Sequence, residues 1–215
     1  ITSFQQGLIS DKNIVIGVNK QEGTLFSSFD EAISTQEHYL SALKSRYPEQ
    51  HNKVALHYPF EDYSNGNQAL ADVLADEAFV CRSKHLANVL AQGGSNVYFY
   101  YFTQSVNPYL KSVLNLFGGN GMDLGTFHAS EIPFVFGVES IFGDLEAGRL
   151  TTSNLIQQYW GDFAKSGSVN NSLTDNHHKL YWPSYTPSSE AVMLLQNQPE
   201  VQHQLKPQKC QFWLN

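Results

Sequence analysis

Apolar residues fall in short clusters along this chain, separated by polar and turn-forming stretches. Residues 13–18, NIVIGV, are a β-branched run that empties into the polar NKQEG, the pattern of a buried strand feeding a loop. Over 28–46, Phe29, Ile33, Tyr39, Leu40 and Leu43 recur near helical spacing and Pro48 supplies a stop, which predicts a helix. HYPFEDYSNGNQ is turn-rich, and helices are expected over 67–79 and 82–92, the latter ended by Gly93-Gly94. NVYFYYF, 96–102, is the strongest strand signal; its aromatics occupy both faces, so it belongs in a sheet covered on both sides.

A glycine-rich turn from Gly118 to Gly125 leads into GTFHASEIPFVFG. Residues 151–166 form an amphipathic helix with Leu155, Ile156, Tyr159, Trp160 and Phe163 on one stripe and Gly167 as C-cap. AVMLLQ, 191–196, is a last short strand, and the stretch around Cys210 a terminal helix or turn. Two or three strands alternating with helices make part of an α/β sheet, too few for a complete doubly wound domain.

The totals narrow the function classes. With 215 residues and 41% hydrophobic content the chain can bury a sizeable core. A net charge of −7 leaves no basic stripe for a nucleic-acid backbone. No apolar run approaches a membrane span. The chain starts at Ile1 without a methionine and reaches a strand by residue 13, as a processed N-terminus or one piece of a longer protein would. Cys81 and Cys210 are too far apart for a C-x-x-C pair; they are either a long-range bridge or two buried thiols. A sequon at Asn170 (NNS) fits a secretory setting.

Of the eight histidines, His177 and His178 lie in a polar loop, and H-E-x-x-H is absent. His128 stands where a glycine-bearing loop meets an apolar segment, open to three roles: packing residue, metal ligand or catalytic base. Glu22 directly follows a buried strand, where α/β sheets place functional loops, and is either a loop carboxylate or a catalytic acid. An acid followed much later by a loop histidine matches the Ser…Asp/Glu…His order of α/β-hydrolases, yet no G-x-S-x-G occurs; GGSNV lacks the final glycine.

These motifs together resemble the type B carboxylesterase/cholinesterase family. IVIGVNKQEGTLF is similar to its acid-bearing segment and FHASEIPFVFG to its histidine segment. DEAFVCRSKHLANVLAQGGSNVYFYYF, YWGDFAKSG, YWPSYT and KCQFWLN follow in family order across nearly the whole chain. The resemblance implies that residues 1–215 are the C-terminal portion of a single α/β-hydrolase domain, with an incomplete sheet completed by an N-terminal portion on a separate chain or upstream segment. It implies Glu22 and His128 as acid and base of a Ser-Glu-His triad acting on carboxylic esters, with no cofactor and no metal. Asp76 and Glu131 take supporting polar roles and Cys81 and Cys210 a disulfide; the sequon makes Asn170 a glycan site in a secreted or secretory-lumen protein. Cholinesterases carry an aromatic residue three after the acid, where this chain has Leu25, with Phe26 next and placed to line the acyl pocket. The residue two after the histidine, aromatic in cholinesterases, is Ser130. A general carboxylesterase fits better than a choline specialist. A non-catalytic adhesion, storage or structural relative that keeps the fold is the alternative.

Overall fold

In the computed structural model, which describes residues 10–106, 112, 116, 122–138, 147–171 and 179–214, the NIVIGV run becomes strand β1, Asn13–Asn19. It pairs in parallel with β2, Asn96–Phe102, from Asn13 opposite Asn96 to Asn19 opposite Phe102. β2 pairs in parallel with β3, Ala191–Leu195, and β3 antiparallel with β4, Glu200–His203, giving the order β1-β2-β3-β4. The fourth strand was not expected. EVQH is short, polar and largely exposed, so it carries no alternation by which an edge strand could be read.

The side chains of β2 divide by parity, as its composition requires. Tyr98 and Phe102 pack with Phe127, Phe134, Leu155, Ile156, Tyr159 and Trp182 on one face. Val97, Phe99 and Tyr101 pack with Val80, Ala87, Leu90, Tyr185 and Cys210 on the other. Burying each such ring contributes about 1.5–3 kcal/mol, so β2 is the central strand of the sheet.

The expected helix over 28–46 begins later. Residues Thr24–Ser27 make a separate helical turn, α1, and α2 spans Gln36–Arg46 behind an N-cap at Thr35, whose hydroxyl accepts from the His38 amide. Between them Asn67 holds the chain irregular, accepting from the Ile33 amide and donating to the Glu31 carbonyl. Phe29, placed by spacing on the apolar stripe, is instead 63% exposed.

After α3, His51–His57, and a 3₁₀ turn at Phe60–Asp62, α4 runs Gly66–Leu74 from an Asn65 cap. The expected break near residue 80 does not occur. A π-helix over Ala75–Val80 joins α4 to α5, Cys81–Gln92, without interruption. α6 is Ile132–Phe136, α7 Ala147–Ser166 (starting four residues before the expected 151), and α8 Pro207–Leu214. Gly167, at φ +75°, ends α7 with its amide donating to the Phe163 carbonyl.

Cys81 and Cys210 form a disulfide across 129 residues, clamping α8 to the start of α5. In the chain-entropy account so long a loop stabilises by about 5 kcal/mol. Residues 118–121 of the glycine-rich turn, and His177 and His178, lie outside the described residues.

Candidate active site

The site is assembled where the sheet ends. Beyond Asn19 the chain continues with Lys20, whose amide donates to the Phe102 carbonyl at 2.9 Å, and then turns at Gln21–Glu22–Gly23. The turn is sewn to the distant 124–127 segment. Gln21 and Phe127 form a parallel bridge, and the Gln21 amide donates to Thr126 O at 3.1 Å. The Thr126 amide donates to Gln21 Oε1 at 2.6 Å, and Thr24 Oγ1 donates to Leu124 O at 2.6 Å. Gly125 meets two demands at once: its φ is +56°, and a Cβ there would sit 2.3 Å from the Gln21 amide group. Gly23 is equally constrained, since its Cβ would lie 1.9 Å from the Ala71 carbonyl oxygen, so α4 packs directly against the turn carrying Glu22.

On this frame Glu22, 5% exposed, uses both carboxylate oxygens. Oε1 accepts from the Asn19 amide at 2.7 Å, and Oε2 meets His128 Nδ1 at 2.7 Å. Burial pushes the Glu22 carboxyl above its ordinary value, opposed by the Asn19 amide and by His128. Ala129, at φ +68°, turns the chain straight after the histidine, and the Ser130 amide closes the turn on Phe127 O. The His128 side chain is 43% exposed. Phe26 lies 5.5 Å from its ring centre and Phe79 4.9 Å.

The remaining expected residues divide. Glu131 stands one shell out, its carboxylate accepting from Asn19 Nδ2 at 2.5 Å while the same nitrogen donates to Phe127 O. Phe26 faces His128, whereas Leu25 packs into the core beneath. Asp76 is fully buried and apart from the dyad. It accepts from Tyr58 Oη at 2.9 Å and from Lys206 Nζ at 2.5 Å, and burial raises its carboxyl against the pull of Lys206. Asn170 grips the backbone of Trp182 with both ends of its amide, donating from Nδ2 and accepting at Oδ1, each at 2.9 Å. Ser130 is buried.

Asn19, Gln21, Thr24 and Phe79 were not singled out by sequence. The first three carry a faint signal, a polar run at a strand end. Phe79 carries none, because its place depends on the π-helix. Among the described residues no group of His, Cys, Asp and Glu side chains is arranged to hold a metal, and no helix is long and apolar enough to cross a membrane.

A buried carboxylate on Nδ1 fixes the imidazole tautomer with the proton on that nitrogen, leaving Nε2 able to accept one. The family model described as the carboxylesterase family matches residues 2–213. The chain is 28% identical to acetylcholinesterase of Gallus gallus over 218 residues, 93% of this chain and 27% of that protein. It is 28% identical to acetylcholinesterase of Bungarus fasciatus over 98% of this chain and 36% of that one. A solved thermophilic PNB esterase superimposes with a TM-score of 0.71 at 22% identity, over 98% of this chain and 40% of its own, and shows the fold as that of an α/β-hydrolase. The chain thus spans well under half the length of these relatives.

Proposed function

The chain belongs to the carboxylesterase family, and from that premise we propose that it supplies the acid and the base of a Ser-Glu-His triad for carboxylic-ester hydrolysis. Glu22 is the acid and His128 the base; the serine comes from a part of the protein outside these 215 residues. The observation that carries the reading is the 2.7 Å contact between His128 Nδ1 and buried Glu22 Oε2. Glu22 holds the ring with its proton on Nδ1 and stabilises the imidazolium. Nε2 takes the serine proton as Oγ attacks the ester carbonyl. The tetrahedral oxyanion collapses, and the alcohol leaves with the proton returned from Nε2. Water then attacks the acyl carbon as Nε2 takes one of its protons, and the intermediate collapses with serine Oγ leaving and taking that proton from Nε2, which frees the acid.

In this proposal residues 1–215 are the C-terminal portion of one domain. The outer edge of β1 supports this, since among the described residues β1 pairs with β2 alone. Leu25 and Ser130, where cholinesterases carry aromatics, support a general carboxylesterase. The Cys81–Cys210 bridge supports an oxidising, secretory location.

The test is labelling of the full-length protein by a fluorophosphonate probe, with hydrolysis of a simple ester alongside. Both are expected in the native protein. His128→Ala is expected to lower kcat by about 10⁶-fold, and Glu22→Gln by about 10⁴-fold. A full-length protein that neither labels nor hydrolyses is a non-catalytic relative, and the proposal fails.

A further inference from the structure

Among the described residues one hydrogen bond, at Nδ1, holds the His128 imidazole, and it fixes only that end of the ring. The loop adds little, because the side chain is 43% exposed. The aromatic contacts come from two other elements. Phe26, on α1, is itself 45% exposed. Phe79 lies closer, with its ring centre 4.9 Å from that of His128 and inclined at 46°, and it stacks on Phe26 at 5.9 Å and 16°. It is also partly buried, against the cluster containing Val18, Cys81 and Leu90.

Phe79 is delivered by the π-helix, a rare geometry that is concentrated at functional sites. That turn is held from behind by residues on α8, just before it and at the end of α3. Lys206 and Tyr58 grip Asp76 in its first turn, and Cys81, immediately after it, is bonded to Cys210. A widened helical turn braced at both ends thus presses one firm ring onto the histidine.

We propose that Phe79 is a positioning residue for His128, its ring limiting the imidazole's swing so that Nε2 stays aimed at the reacting hydroxyl. The proposal rests on the reading of His128 as the triad base. It also gives Asp76 a function that needs no contact with substrate: it fixes the turn that carries Phe79.

The experiment uses the full-length protein with Phe79→Ala, Phe79→Leu and Phe79→Tyr. Phe79→Ala is expected to lower kcat by about tenfold to a hundredfold on a small acetate ester with KM changed by less than about threefold, the signature of a misaligned reacting group. Phe79→Leu keeps apolar volume without the ring and is expected to behave like Phe79→Ala, which covers the case where alanine does not fold. Phe79→Tyr restores the ring and is expected to recover kcat. Unchanged kcat in the alanine and leucine variants overturns the proposal, as does failure of tyrosine to rescue. A second readout is independent of turnover: ¹⁵N relaxation of the His128 ring is expected to report greater motion in Phe79→Leu than in the native protein. If the native protein is inert to esters while that difference persists, the esterase reading fails and the positioning stands. If the native protein is active and the ring moves no more without Phe79, the positioning fails alone.

Discussion

Glu22 is the residue on which chemistry and stability pull in opposite directions. Burial raises its carboxyl above 4.5, so between the unfolded and folded values the native protein holds a proton that the unfolded chain has released. The stability this group contributes is complete below the unfolded value and is lost as pH rises through the folded one. Glu22→Gln keeps an acceptor for the Asn19 amide and removes the ionisation. The melting temperature of Glu22→Gln relative to native is therefore expected to become more favourable between about pH 4 and about pH 7, while activity is lost. Scanning calorimetry at the two pH values checks it; a difference that stays flat or moves the other way contradicts the assigned cause. That Glu22 and His128 are candidates was legible in their segments, one at a strand end and one in a glycine-bearing loop. That they pair is what the family resemblance implies; the 2.7 Å geometry is tertiary, since the contact joins residues 106 apart and depends on stitches through Gln21, Thr24 and Thr126.

At the scale of elements, the π-helix and α8 behave as one unit. Asp76 is fully buried between Tyr58 and Lys206, and Trp213 donates to Tyr58 Oη at 2.8 Å. Removing one partner of a buried pair leaves the other charge uncompensated, so Asp76→Ala is expected to destabilise by about 3–5 kcal/mol. The urea midpoint measures this, and a loss below about 1 kcal/mol, the range of an exposed pair, shows the network to be dispensable. Periodicity found β1, β2, β3, α5 and α7 because their apolar positions recur at the element's own period. It ran α2 back into an irregular segment, since Asn67, dozens of residues away, holds that segment outside the helix. It placed a break at the end of the π-helix, because one wider i→i+5 turn shifts the side chains out of phase with the α-helical period on either side.

At the scale of the molecule, among the described residues the sheet is bounded on one side by β4, a short polar strand suited to an edge, and on the other by β1, whose IVIGV core is apolar. If β1 is interior in the complete protein, those of its amides that point away from β2 acquire partners there. Hydrogen exchange of β1 amides is expected to be fast in the isolated 215-residue chain and strongly protected in the full-length protein. Equal exchange in the two forms contradicts the proposal that a further portion completes the sheet.

What the sequence determined by itself is local: strands and helices with a strong period, the two segments bearing Glu22 and His128, and the family they resemble. These depend on neighbours within a few residues, which the linear order preserves. Tertiary structure alone decided which oxygen of Glu22 meets His128, that Asp76 lies apart from the dyad, and that Phe79 reaches the imidazole, while the Cys81–Cys210 bond is one the family resemblance already implied. Each is a contact between elements remote in sequence, set by how the π-helix, α8 and the loop after Gly125 pack around the end of the sheet.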